Sequence, residues 1–412
     1  MSRVKSRGSI HRARKDSGRM NPPPTQNTTQ NNIKFCIKEI KLIMKKYFNI
    51  AILFIIFFLL GSISISAKVD IGGELVVSLL NIIDNEGNIS SYLQESLDLE
   101  LFLPTINNTQ AKSEIYLFNN PMSGGFDYLI KKLYLKHKFE KLHLTLGRQP
   151  ISWSFGSMLN PVDFTLGSMV MDEETGAKYQ DAVEAYVPLN WNSSVSLVAA
   201  FPKGSQDIKW GLRGRTMIEG YDLTLNYVRE PEIDFMGTII PASQRIGFTA
   251  KGDLGPLGVY GALGYYFKDN DNGDLAYLIG GDYSYFFKAG NSIYFQLEYL
   301  SIKKDNLSSI LGPFFAGNVT NNLNENIGLI LGMVNYGIDE FSQINIMAIS
   351  SLNDGSIIII PGYRNQLSNN LSFNLSTAIY FGKEDTLFSS NVSEGAQQKP
   401  KGMISIGLTY SF

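Results

Sequence analysis

Six basic residues recur at even spacings, which an extended strand would bring to one face: Lys132 and Lys136, Arg213 and Arg215, Arg245 and Lys251. Against them stand acids in one unusual stretch, Arg148 to Tyr179, which holds Asp163 and the run Asp172-Glu173-Glu174. Fixed charges of opposite sign held across a narrow wet space, with low-dielectric walls behind them, create a transverse field that acts on ions and polar solutes. A single member of either set has a blander reading, a side chain that solvates a cavity or pairs with its neighbour. The arginine group carries more weight than any one of its members.

Other chemistry finds little support. Residues 68–412 contain two histidines, His137 and His143, both beside lysines, and no nearby serine motif gives them a nucleophile to activate. The chain is therefore not expected to be an enzyme, and no cofactor is implied. Asp269-Asn270-Asp271-Asn272-Gly273-Asp274 partly matches a calcium loop, but Gly280 stands where the distal bidentate Glu belongs. A polar turn is the better reading, with no metal. The sole cysteine, Cys36, lies in the first 67 residues, which removes disulfides and thiol ligation from the remainder.

The elements that must position these charges are strands. Beyond Ala67 the sequence shows no convincing helix; runs of alternating apolar and polar residues are separated by Gly, Asn, Asp and Pro clusters. In Ser91 to Leu103, Leu97, Leu99, Leu101 and Leu103 alternate with Gln94, Ser96, Asp98 and Glu100. The same pattern fills Ile208 to Ile218 and Ser292 to Ile302, where Gln296 and Glu298 oppose Ile293, Phe295, Leu297 and Tyr299. Polar faces this charged make a poor core for a sandwich. A barrel with an apolar exterior in lipid and a polar lumen accounts for both faces.

Eighteen strands fit, with starts near 69, 91, 110, 127, 142, 180, 193, 208, 220, 243, 257, 274, 291, 326, 340, 355, 370 and 400. Sixteen would keep the same parity. All long connections then fall at one end: Gln149 to Tyr179, Glu230 to Ala242, Lys304 to Glu325 and Lys383 to Lys399. Alternation points Lys132, Lys136, Arg213, Arg215, Arg245 and Lys251 inward, with Asp98, Glu100, Glu114, Glu184, Asp282 and Glu298 also on the polar side. Arg148 shares parity with Leu144 and Leu146 and faces outward unless a bulge intervenes. Tyr265, Tyr266, Phe267, Tyr283, Tyr285 and Phe287 sit near strand ends, as an interfacial girdle requires.

The first 67 residues are of another kind. Lys45 and Lys46 precede eleven apolar residues, Ile50 to Leu60, and a small-residue exit follows to Ala67. A spanning helix takes roughly 17–25 residues, so 44–67 reads as a secretory signal peptide. Residues 1–43 read as a basic disordered prefix or a mis-assigned start, with Met44 the alternative initiator, leaving 68–412 as the barrel. Of 36 Lys and Arg and 38 Asp and Glu, 12 and two fall before residue 68, so the remainder carries a net charge of about −12. That argues against nucleic acid as a partner.

The last strand alternates completely: Ile404, Ile406, Leu408, Tyr410 and Phe412 on one face, Ser405, Gly407, Thr409 and Ser411 on the other. It resembles the carboxy-terminal assembly signal of bacterial outer-membrane barrels, with Gly407, Tyr410 and Phe412 at the glycine, aromatic and terminal-aromatic positions. Over essentially its whole length the chain from 68 onward resembles an outer-membrane porin or porin-like barrel. Leu146-Gly147-Arg148-Gln149, then Trp153, Asn160-Pro161 and Asp163, is similar to a recurrent segment of porin-like barrels.

The resemblance implies an all-β transmembrane antiparallel barrel in the outer membrane of a diderm bacterium, and passive diffusion of small hydrophilic solutes. Its partners would be outer-membrane lipid, the barrel-assembly machinery and, by analogy alone, two further copies in a homotrimer. It also implies that the long third external loop, 149–179, folds inward and sets the narrowest point, where Asp163, Asp172, Glu173 and Glu174 would face the basic wall. Trp153 either lines that point or anchors the loop against the wall. A substrate-selective channel, and a non-conducting barrel serving as anchor or adhesin, stay open as alternatives.

Overall fold

The computed structural model describes residues 69–120, 125–151, 153, 155, 157–164, 178–202, 205, 207–235, 238–268, 273–288, 290–304, 306, 325–383, 386–388 and 400–412. The strands are β1 (Asp70–Ile83), β2 (Ile89–Phe102), β3 (Thr109–Asn120), β4 (Gly125–Lys138), β5 (His143–Ile151), β6 (Lys178–Pro188), β7 (Ser193–Ala200), β8 (Lys209–Ile218), β9 (Tyr221–Glu230) and β10 (Ile233–Phe235). There follow β11 (Thr238–Ile240), β12 (Ser243–Leu254), β13 (Leu257–Lys268), β14 (Asp274–Phe286), β15 (Ser292–Lys303), β16 (Asn326–Gly337), β17 (Ser342–Ser351), β18 (Ile357–Ser368), β19 (Leu371–Phe381) and β20 (Gly402–Ser411).

Eighteen of these pair antiparallel with their neighbours in chain order and close on themselves, and β10 and β11 form a separate two-stranded hairpin between β9 and β12. Closure runs from Glu74↔Ser411 to Ile83↔Gly402, and the Gly73 and Phe412 backbones exchange two hydrogen bonds of 3.0 Å beyond it. A closed sheet leaves no unpaired edge, which is the condition for crossing a bilayer with strands.

The eighteen-strand expectation holds, and so does the parity of its connections. At one end no connection exceeds six residues; at the other lie 152–177, 231–242, 304–325 and 382–401. The side-chain alternation also holds on the outer face. Leu75, Val77, Leu79, Leu133, Leu135, Leu212, Ile246, Phe248, Ile406 and Leu408 are exposed there, as a lipid-facing band requires.

The inner face departs from the expected uniformly polar lumen. Toward the long-connection end, inward-facing Leu278, Leu300, Ile302, Ile327, Leu329, Leu331, Ile349 and Ile358 form an apolar wall with Ala262, Ala276, Ile360 and Tyr380. Phe155, Val162, Leu387 and Phe388, from two of the long connections, pack on it. Burying an aliphatic or aromatic side chain of this size contributes roughly 1.5–3 kcal/mol, so the described parts of these connections are held inside by packing. Tyr266 differs from the girdle expectation for the same reason. Its parity points it inward, where it is 4 % exposed, whereas Tyr265 and Tyr285 face out.

A bulge in β4 changes the basic face. Glu114 opposes Lys132 while Ile115 opposes Ile130, so Lys131 is the extra residue. Phe126 and Tyr128 before the bulge and Leu133 and Leu135 after it are all exposed, and Lys131 joins Lys132 on the inside.

Candidate functional site

After β5, the described residues 153, 155 and 157–164 lie inside the barrel and are tied to one another. Asn160 Nδ2 donates to the Trp153 carbonyl at 3.2 Å, the Trp153 N–H to Asp163 Oδ1 at 3.3 Å, and the Val162 N–H to Asn160 Oδ1 at 3.0 Å. Asn and Asp are suited to this because their short side chains satisfy backbone groups that no ladder reaches. Trp153 and Phe164, with ring centroids 5.1 Å apart, lie against the inner face of β8 at Gly211. Any side chain at Gly211 would meet both rings, since a Cβ would fall 2.8 Å from the indole and 2.9 Å from the phenyl.

Farther along, Val162 occupies a slot over Gly247 of β12 and Gly264 of β13. Three strands then bind the segment by its backbone. Arg245 Nη2 donates to the Asp163 and Phe164 carbonyls, the Tyr266 hydroxyl donates to the Pro161 carbonyl, and Glu298 Oε1 accepts from the Met158 N–H at 2.9 Å.

Behind these contacts lies a buried charge network. Arg245 Nη1 and Lys209 Nζ both reach Glu230 Oε1, at 2.8 and 2.9 Å, and Lys209 sits 4.6 Å over the Phe164 ring. Asp163 lies within electrostatic reach of Lys209 and Arg213. Arg245 is only 3 % exposed, so its guanidinium is spent on Glu230 and on the loop backbone.

The remaining basic positions are spread along the wall. Lys132 meets Glu114 at 2.6 Å, and Lys131 bridges Asp98 and Glu114. Lys136 and Arg213 flank Glu184 electrostatically. Arg215 is forked onto Asp222, with Nη2 to Oδ2 at 2.6 Å, near the short-turn end, and Lys251 lies 5.8 Å over the Tyr260 ring. The structure thus sorts the six residues into Arg245 under the loop and five elsewhere on the inner wall, on β4, β8 and β12.

The acids Asp172, Glu173 and Glu174 lie outside the described residues. Arg148 opposes Leu133 and pairs with Asp181 at 3.3 Å on the outward face. His137 accepts or donates at Thr109, 2.8 Å away, and His143 stacks on Tyr186. Asp274 is engaged by Lys303 at 3.0 Å. Among the described residues no group of three His, Cys, Asp or Glu could hold a metal ion.

Residues that alternation did not single out include Lys131, hidden by the bulge, and Glu230; Lys209 was legible on the polar face of its strand with Arg213 and Arg215, but its pairing with Glu230 across β8 and β9 was not. Tyr266 and Glu298 also gain their meaning only from the loop lying on them. A cue was available in the sequence: glycines at 211, 247 and 264 on inward positions mark a wall that another chain segment approaches closely.

No protein-family model matches the sequence, and no curated protein matches it. Among solved structures, the chain is similar to OccAB1 of Acinetobacter baumannii (9 % identity, TM-score 0.54, 84 % of this chain and 98 % of that one). It is similar to Wzi of Escherichia coli, described as a carbohydrate-binding β-barrel of the outer membrane involved in group 1 capsule assembly (12 %, 0.53, 82 % and 84 %). It is also similar to the outer-membrane protein OpdK of Pseudomonas aeruginosa (9 %, 0.51, 84 % and 98 %). At these identities the likeness is one of fold, a closed porin-like barrel.

Proposed function

We propose that the chain is exported by way of the leader at 44–67, inserts in an outer membrane, and forms a passive channel for small hydrophilic solutes and ions. The observation that carries this reading is the seating of Trp153 and of residues 158–164 on the inner face of β8, β12, β13 and β15. A loop held there narrows a barrel of eighteen strands without lining the opposite wall. The wall away from that seat, on β2, β3, β4 and β6, carries Asp98, Glu100, Glu114, Lys131, Lys132, Lys136 and Glu184, and Arg213 lies on β8 beside the seat. In this reading Lys132, Lys136, Arg213, Arg215 and Lys251 are the basic lining, and Asp163, Asp172, Glu173 and Glu174 face it from the loop. Trp153 anchors the loop, and Gly407, Tyr410 and Phe412 address the chain to the assembly machinery. Assembly as a homotrimer is part of the proposal by analogy.

The apolar inner wall, with Phe155, Val162, Leu387 and Phe388 packed on it, favours a second reading in which the lumen is filled and the barrel is an anchor. Planar-bilayer recording on refolded 68–412 separates the two. Stepwise, ohmic conductance is expected for the channel. A folded, membrane-inserted barrel with no unitary events would establish the filled barrel instead. Saturation of the current by one solute would make the channel substrate-selective.

A further inference from the structure

We infer that Arg245, Tyr266 and Glu298 form a latch whose work is to hold the inserted loop in place, so that Arg245 is a positioning residue and not a charge presented to the permeating solute. The inference rests on the channel reading for its functional meaning, and on geometry for its substance. The three side chains come from β12, β13 and β15, and each binds backbone: the carbonyls of Asp163 and Phe164, the carbonyl of Pro161, and the N–H of Met158. Backbone contacts fix the path of the segment whatever its side chains are. A buried loop needs such partners because its polar groups have no ladder and no water.

Chemistry distinguishes Arg245 from the other inward cations. Its planar fork satisfies two carbonyls from one nitrogen while the other nitrogen reaches Glu230 at 2.8 Å, which a lysine ammonium cannot reproduce in one geometry. Lys209 also reaches Glu230, at 2.9 Å, so the carboxylate is shared by two cations and the arginine retains capacity for the loop. Glu298 is 1 % exposed, and its Oε1 also takes the Tyr260 hydroxyl at 2.7 Å and the Gln296 amide at 2.8 Å. Those two wall residues aim the accepting oxygen at Met158 before the loop arrives. Between the polar anchors Val162 keys into the slot at Gly247 and Gly264.

The test needs no current. Residues 68–412 contain no cysteine, so Val162→Cys supplies a single thiol at a position 1 % exposed. In the refolded barrel its reaction with a membrane-impermeant maleimide is expected to be slow. Adding Arg245→Ala should speed labelling at least tenfold, with Arg245→Lys between the two. Tyr266→Phe, which removes one hydroxyl and no volume, should speed it severalfold. Arg215→Ala, a loss of inward charge elsewhere, should leave it unchanged. Each barrel is first checked for folding by its heat-modifiable gel mobility. Should Arg245→Ala misfold, Tyr266→Phe decides alone. Unchanged labelling in the folded latch variants overturns the latch, whether or not the barrel conducts. Faster labelling in a barrel that never conducts keeps the latch and overturns the channel.

Discussion

Arg213 and Arg245 have the same type and the same inward parity in the sequence pattern, yet they stand in different relations to the lumen. Arg213 faces Glu184, with Arg215 and Asp163 in electrostatic range; Arg245 is closed off beneath the loop. The channel reading therefore expects Arg213→Ala to move the reversal potential in a salt gradient toward cation selectivity with little change in conductance. An unmoved reversal potential would remove Arg213 from the path. Gly247 gives a second expectation at this scale, because a Cβ there would lie 2.4 Å from the Val162 Cβ, and both partners are held by backbone. Gly247→Ala should unseat the loop at a cost of about 1–3 kcal/mol, the range for overpacking a close contact, with the closed sheet intact. Thiol labelling at Val162→Cys should rise while the heat-modified mobility stays native. If labelling stays slow, the slot has more room than its geometry indicates.

Among the elements, the turn between β17 and β18 is the one that secures the second inserted segment. Asp354 Oδ1 accepts from the Ser356 N–H at 2.9 Å and its hydroxyl at 2.6 Å. Oδ2 accepts from the Leu387 N–H at 2.8 Å, and the Phe388 N–H donates to the Ser356 hydroxyl at 3.1 Å. Burial opposes the charge on Asp354, but the hydrogen bonds from Ser356 and Leu387 outweigh it and hold the carboxyl below its usual value. A carboxylate with a lowered folded pKa gives stability that is present above its unfolded pKa, about 3.9, and is lost as pH falls through the folded one. Amide exchange at Leu387 and Phe388, corrected for intrinsic rates, should thus show constant protection from neutrality down to about pH 4 and loss below it. Asp354→Ala should abolish most of that protection at neutral pH. Protection independent of both pH and Asp354 would leave Phe388 packing as the sole restraint.

Elements also show where the sequence was readable. The eighteen barrel strands were legible because one face of each meets lipid, and a lipid-facing row of Leu, Ile and Phe against a wet polar row gives period two without ambiguity. Ile327, Leu329 and Leu331 of β16 broke the rule, since they belong to the apolar inner wall on which Phe155, Val162, Leu387 and Phe388 pack, and this part of β16 is apolar on both faces. The hairpin β10–β11 has strands of three residues, too short for any periodicity. Lys131 could not be placed because a bulge is invisible to a strict alternation. The loop's own contents were legible as an interruption containing Trp153, Asn160, Pro161 and Asp163. Its seat was not, because Arg245, Tyr266 and Glu298 are 82, 105 and 140 residues from their backbone partners.

At the scale of the whole molecule, closure joins the first strand to the last, and the terminal strand has two separable properties. Thermodynamically, β20 is fixed by its ladders to β1 and β19 and by the exchange of backbone hydrogen bonds between Phe412 and Gly73. None of these needs the Phe412 ring, which is 47 % exposed on the outer face. Kinetically, the proposed assembly signal at Gly407, Tyr410 and Phe412 would act before the barrel exists, on an extended strand. The two properties predict different behaviour for one variant. Phe412→Ala refolded into detergent micelles should retain the closed barrel, losing on the order of 1 kcal/mol for a half-exposed ring, as seen by a small fall in its heat-modification midpoint. In cells the same variant should reach the outer membrane at a severalfold lower level. Equal loss in both settings would mean that the ring closes the barrel directly, and normal levels in cells would mean that assembly does not read it.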